Sequence, residues 1–207
     1  MADPYLYSGS ETLINLFDER SEQALEKIEA DYTSLRLRQL LDNPLNSDFN
    51  FTLLCKTHKF IFQDIYEWAG KIRIINIEKP EAVLGGLSVE YSEIQNIKKD
   101  FSTACQKMKS LNWPALTLKQ KAENFAQDLT ALWKVHPFRE GNTRAIICFC
   151  CDFAERQGFP LNRELFKDNS LYVRRALVAS SAVFKEFGNL AKPQYLIDII
   201  KEAIKTA

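Results

Sequence analysis

The feature that most constrains this chain is an apolar spacing of three and four residues that keeps recurring, the repeat of one face of an α-helix. It is clearest at Ile94, Ile97, Phe101, Ala104, Met108 and Leu111, which predict an amphipathic helix through that stretch. Leu25, Ile28, Tyr32 and Leu35 predict an earlier one, with Ser21 as its N-cap and Glu22 in its first turn. Leu54, His58, Ile61 and Ile65 mark another, running towards Gly70. Thr117 and Gln120 have the spacing of a capping box ahead of Ala122, Phe125, Leu129 and Leu132, so a helix begins there and reaches Val135. Pro137 disfavours a helical backbone at the residue before it, which makes His136 a turning point. A further helix is expected from about Asn142 to a stop at Gly158, and two more around Ser170 to Phe187 and Pro193 to Ile204.

Only Lys71 to Ile77 reads as strand. KIRIINI is β-branched, and the EKPE that follows can turn it into a short return at Ala82 to Leu84. The expected fold is all-α, a helical core carrying one small β-hairpin. With 207 residues, 46% of them hydrophobic, the chain has the size of one domain with a buried core. Within it a helical segment over about 1–50 precedes a core over about 51–205, with the hairpin near 71–86.

Lys plus Arg and Asp plus Glu each number 27, so no charge surplus points to nucleic acid or to a membrane surface as partner. The start MADPYLYSGS lacks the marks of a secretion signal, and the five cysteines suit a reducing compartment, so a soluble, cytoplasmic protein is expected. Cys148, Cys150 and Cys151 lie in an apolar helical stretch and read as small buried side chains rather than metal ligands.

The chemistry-bearing residues gather in HPFREGNTR, His136 to Arg144. A helix expected to open at Asn142 offers unpaired backbone N–H groups and a partial positive charge to a phosphate. Gly141 lets a backbone approach closely, Asn142 carries an amide donor and Arg144 a planar fork of donors. Glu140 makes sense beside an anion once a cation lies between them, and magnesium is often held by one carboxylate plus substrate phosphates. A histidine titrating near neutral pH can take a proton from an attacking hydroxyl, which gives His136 the part of general base. Phe138, alternating away from these polar groups, is expected to anchor the run in the core.

These residues resemble the signature of the Fic family, H-x-F-x-(D/E)-G-N-x-R, met by His136, Phe138, Glu140, Gly141, Asn142 and Arg144. HKFIFQDIYEWAGKIRIINI, His58 to Ile77, is similar to the family's passage from a core helix into its flap hairpin, and the resemblance runs from about Tyr5 to about Ile204. It implies the Fic fold and a protein adenylyltransferase, an AMPylating nucleotidyltransferase that moves AMP from ATP, with Mg2+, to a Tyr, Thr or Ser hydroxyl of a target protein or of itself. In that scheme His136 is the base, Glu140 the magnesium ligand, and Gly141, Asn142, Thr143 and Arg144 the phosphate cradle. The flap residues Ile77, Glu78 and Lys79 dock the target as an added strand. Tyr172 falls in the region that resembles the adenine-side helix, but a core role is expected for it.

Two positions depart from the family's commonest pattern. Thr143 stands where glycine is usual, and Ile147 stands where a second arginine would meet a γ-phosphate. No Ser or Thr is followed four residues later by Glu, so the (S/T)-x-x-x-E restraint of many Fic proteins has no match here. A separate antitoxin-type protein then supplies that restraint, or it is absent. Two other readings follow: phosphotransfer as in the Doc branch, where a lysine takes the place of Thr143 and the nucleotide binds in reverse, and a weakened Fic fold acting as a binding module.

Overall fold

A computed structural model describes residues 3–207; Met1 and Ala2, the first of the expected N-terminal segment, lie outside the described residues. Eight α-helices make up the fold among those residues: α1 (Glu22–Asp42), α2 (Phe51–Phe62), α3 (Ile97–Ser110), α4 (Leu118–Val135), α5 (Asn142–Arg156), α6 (Arg163–Asp168), α7 (Ser170–Ser180) and α8 (Gln194–Lys205). Helix α4 is the hub, packed against α3, α5, α7 and α8, while α2 lies between α5 and α1. The side chains that fill this centre include Phe62, Phe125, Leu132, Trp133, Phe138 and Phe149, all buried.

Local chemistry fixes where these helices start and stop. Thr117 accepts from the Gln120 N–H and Gln120 reaches back to the Thr117 N–H at 3.0 Å, so both halves of the capping box are made. Asn50 and Asn162 cap α2 and α6 in the same way, each accepting a backbone N–H at 3.1 Å. Helix α5 ends where Gly158 takes a left-handed conformation and Phe159 donates back to the Ala154 carbonyl.

The expected flap hairpin is not formed at 71–86. Lys71 to Ile77 has no strand pairing, Ala82–Leu84 is a turn of 3-10 helix, and a single bridge between Pro80 and Ser88 closes the excursion. The β-branched run is overridden because Arg73 at its centre is buried and spends its guanidinium on backbone carbonyls, while Ile74 faces solvent. The small hairpin lies instead at β1 (Val183–Phe184) and β2 (Gly188–Asn189), where the predicted helix to Phe187 breaks off. Gly188, with φ 76°, supplies the left-handed residue this turn needs.

Helix α1 begins at Ser21 as expected but buries a different face. Leu25, Thr33 and Leu40 point inward, whereas Tyr32 and Leu35 are exposed. Polar ties fix that orientation: Arg36 grips Asp64 through two bonds of 2.6 and 2.8 Å, and Glu29 accepts the Tyr66 hydroxyl at 2.5 Å. Among the described residues no helix is long and apolar enough to cross a membrane.

Candidate active site

His136 to Gly141 form the six-residue loop between α4 and α5, and its shape follows from its sequence. His136 ends α4 in the left-handed region, φ 49° and ψ 58°, outside the helical backbone that the following proline disfavours. Phe138 then turns into the core and stacks on the His58 ring at 3.8 Å. The Asn142 side chain closes the loop on itself, accepting from the Phe138 N–H at 2.9 Å and donating to the Phe138 carbonyl at 2.8 Å.

Two buried side chains from outside the motif hold this loop. His58, on α2, accepts the Gly70 N–H at Nδ1, so its Nε2 carries the hydrogen and donates to the Glu140 carbonyl at 3.0 Å. Burial lowers its pKa to about 3, so it remains a neutral peg. Arg73 donates from Nε to the His136 carbonyl at 2.8 Å and from Nη1 to the Ile75 carbonyl at 2.7 Å, and its Nη2 reaches the Ser92 carbonyl. Its own N–H donates to the Pro137 carbonyl at 2.9 Å. Sequence periodicity missed both; the available signal was a lone polar residue inside an apolar run.

His136 is 4% exposed, and its imidazole lies against the Tyr91 ring at 4.0 Å, with Trp133 edge-on at 5.2 Å. Its Nδ1 is 3.4 Å from the Trp133 carbonyl, an atom that only accepts, so the hydrogen belongs on Nδ1 and the free lone pair on Nε2. Burial, and then the charge of Lys79, hold its pKa well below the ordinary histidine value. A neutral imidazole with an available lone pair is what a general base requires.

Beyond the loop, α5 opens without a side-chain cap, and none of the N–H groups of Asn142, Thr143 and Arg144 finds an acceptor among the described residues. Unpaired donors at a helix N-terminus are the arrangement that suits an anion. Gly141 is needed there for two reasons: its φ is 77°, and a Cβ would lie 2.2 Å from the Phe62 ring. Thr143 accepts the Trp133 indole N–H at 2.9 Å, leaving its hydroxyl hydrogen to donate elsewhere. Arg144 faces the other way, paired with Glu29 of α1, bonded to Thr33 at 3.2 Å and lying over the Phe62 ring.

Glu140 meets the flap. Burial pushes its carboxyl upward, but Lys79, 2.7 Å away, together with the Gly141 N–H, overcomes this and holds it at about 2. The carboxylate is ionised and already sits against one cation, which fits the single carboxylate magnesium takes beside phosphates. Among the described residues no group of three or more His, Cys, Asp or Glu gathers as a metal cage, so the remaining oxygens would come from the nucleotide and water. Lys79 is thus brought onto the loop, whereas Ile77 and Glu78 make no hydrogen bond to it.

The three cysteines of α5 are buried as expected, and Ile147 packs against the core. Tyr172, expected in the core, is 43% exposed and donates to the Tyr195 carbonyl at the surface.

The Fic/DOC family profile matches residues 48–154. The protein adenylyltransferase VbhT of Bartonella schoenbuchensis is 28% identical over 161 residues, 77% of this chain and 32% of that protein. The probable protein adenylyltransferase Fic of Escherichia coli is 27% identical over 161 residues, 77% of this chain and 76% of its own length. The chain spans 32% and 38% of the length of two Bartonella relatives it matches, so they contain much that it does not. In fold, the BepC protein of Bartonella tribocorum, solved with bound AMPPNP, superposes with a TM-score of 0.77 over 96% of this chain and 95% of that one, at 21% identity.

Proposed function

Because this chain belongs to the Fic/DOC family, we propose that it is a protein adenylyltransferase that moves AMP from ATP to a Tyr, Thr or Ser hydroxyl of a target protein or of itself. The observation that carries this reading is the loop: a neutral His136, an ionised Glu140 and the uncapped amides of α5 share one short segment. The relatives named as adenylyltransferases support the same chemistry.

Each residue then has a task. The phosphates sit at the mouth of α5 on the N–H groups of Asn142, Thr143 and Arg144. The Asn142 side chain serves mainly to shape the loop, since both its polar ends bond Phe138. Arg144 exchanges Glu29 for phosphate oxygens. Lys79 leaves Glu140 when a cation arrives with the nucleotide, and Ile77 to Lys79 line the approach of the target. Mg2+, when bound at Glu140, neutralises phosphate charge. The target hydroxyl attacks the α-phosphorus: an O–P bond forms, the bond to the β-phosphate bridging oxygen breaks, the proton passes to Nε2 of His136, and pyrophosphate leaves.

Residues 1–207 act here as a single domain, in the cytoplasm, and the (S/T)-x-x-x-E restraint is supplied by a separate antitoxin-type protein or is absent. The test is incubation of purified protein and a cell lysate with α-labelled and γ-labelled ATP and Mg2+. Label from the α-phosphate reaches protein, and His136→Ala and Glu140→Ala abolish it. Transfer of γ-label alone marks the phosphotransfer reading, and the absence of any transfer leaves a binding module.

A further inference from the structure

Tyr91 lies half-buried against His136, and its hydroxyl oxygen, closed off from solvent, has no hydrogen-bond partner among the described residues. Its backbone is fixed: Tyr91 N–H bonds the Val89 carbonyl, and Ser92 next to it ties to Lys134 of α4 and to Arg73. The ring rests on the His136 imidazole at 4.0 Å and meets Trp133 edge-on at 5.8 Å. A stack alone would be satisfied by phenylalanine. Leaving a hydroxyl buried and unpaired carries a desolvation cost that a phenylalanine would avoid.

The acceptors closest in charge are already in use. Glu81 is spent on two bonds of 2.7 and 2.9 Å with Arg174 of α7, and Glu140 is spent on Lys79 and the Gly141 N–H. Burial and the nearby carboxylate of Glu81 push the phenol pKa up, so the group is a proton donor at any physiological pH and never a competing anion. The described residues thus leave this hydroxyl free to meet an acceptor brought by a ligand. His136 is buried and the Tyr91 hydroxyl oxygen is closed off from solvent on the ring stacked against it, so a substrate that reaches the imidazole comes close to that hydroxyl.

Resting on the nucleotide-transfer reading above, we propose that Tyr91 is a further catalytic residue, its hydroxyl donating a hydrogen bond to a non-bridging oxygen of the phosphate being transferred. The base on one ring and the donor on its neighbour then address the two partners of one step, the attacking hydroxyl and the phosphate it attacks. The bond is already made to the bound nucleotide and strengthens as negative charge builds on that oxygen, so losing the hydroxyl weakens binding measurably and the rate more.

The test compares wild type, Tyr91→Phe and Tyr91→Leu in the full chain for thermal unfolding, for binding of a Mg2+·non-hydrolysable ATP analogue, and for transfer from α-labelled ATP. Tyr91→Phe keeps the stack and loses only the hydroxyl. It is expected to be at least as stable as wild type and to lose about 10- to 100-fold in kcat/KM, mostly in kcat. Tyr91→Leu, which also removes the support of His136, loses activity and stability together. Wild-type transfer by Tyr91→Phe, or a loss of stability in that variant, overturns the proposal. Should wild type bind the analogue without transferring a group, the transfer reading alone fails; weaker binding by Tyr91→Phe then upholds the phosphate contact, and equal binding overturns it.

Discussion

The motif loop and the flap excursion face each other across the site, yet they are held by different means. Residues 136–141 are pinned by short bonds from buried neutral or fully paired groups: His58 on the Glu140 carbonyl, Arg73 on the His136 carbonyl, and Asn142 on both polar atoms of the Phe138 backbone. Between Ile77 and Ser88, by contrast, the polar ties to the rest of the protein are two ion pairs, Lys79 with Glu140 and Glu81 with Arg174. Buried side-chain bonds to backbone set geometry to a fraction of an ångström, whereas partly exposed ion pairs contribute little and can be exchanged. The loop is thus built before substrate arrives, and the flap is the part free to respond.

Substitutions can break that contrast, beginning with the loop. Arg73→Met strips donors from three carbonyls and is expected to cost roughly 3 to 5 kcal/mol in denaturant unfolding, with transfer lost. Gly141→Ala combines a left-handed backbone with a clash into Phe62 and should cost about 2 to 4 kcal/mol. A loss below about 1 kcal/mol in either variant would mean that the loop is not the rigid partner.

Changes on the flap should cost less stability. Glu81→Gln weakens the tie to α7 and is expected to lower stability by about 1 kcal/mol, read as a small shift in thermal midpoint. Lys79→Met should change stability by less than about 1 kcal/mol and act instead on pH dependence. In the wild type His136 is held neutral well below its ordinary range, so kcat/KM should stay level as pH falls through 6.5 and decline only at lower pH. Removing the Lys79 charge favours the imidazolium, raises the histidine pKa and moves that acid limb upward. An unmoved limb would show that Lys79 does not act on His136.

Sequence made the loop more legible than the flap, and the reason is physical. Pro137 and the Thr117–Gln120 box act on their immediate neighbours, so both the end of α4 at His136 and its start could be read locally, whereas the left-handed backbone of His136 could not. Lys71 to Ile77 looked like strand because its β-branched residues suit one, but the deciding contacts of Arg73 run to residues as distant as His136 and Ser92. His58 hid within a helical stripe for the same reason. Arg144 was expected on phosphate, and only the packing of α1 revealed Glu29 and Thr33 as its resting partners. The exposed Leu35 shows the converse, an apolar spacing that the ion pairs of α1 overrule.

Amide hydrogen exchange of the purified protein, with and without Mg2+·ATP, tests the central claim most directly. In the free protein the Phe138 amide should exchange slowly and peptides over 77–88 quickly; nucleotide should then protect the amides of Asn142, Thr143 and Arg144 together with the flap. Rapid exchange at Phe138, or nucleotide binding that leaves the α5 amides unprotected, would contradict a preformed phosphate loop beneath a responsive flap.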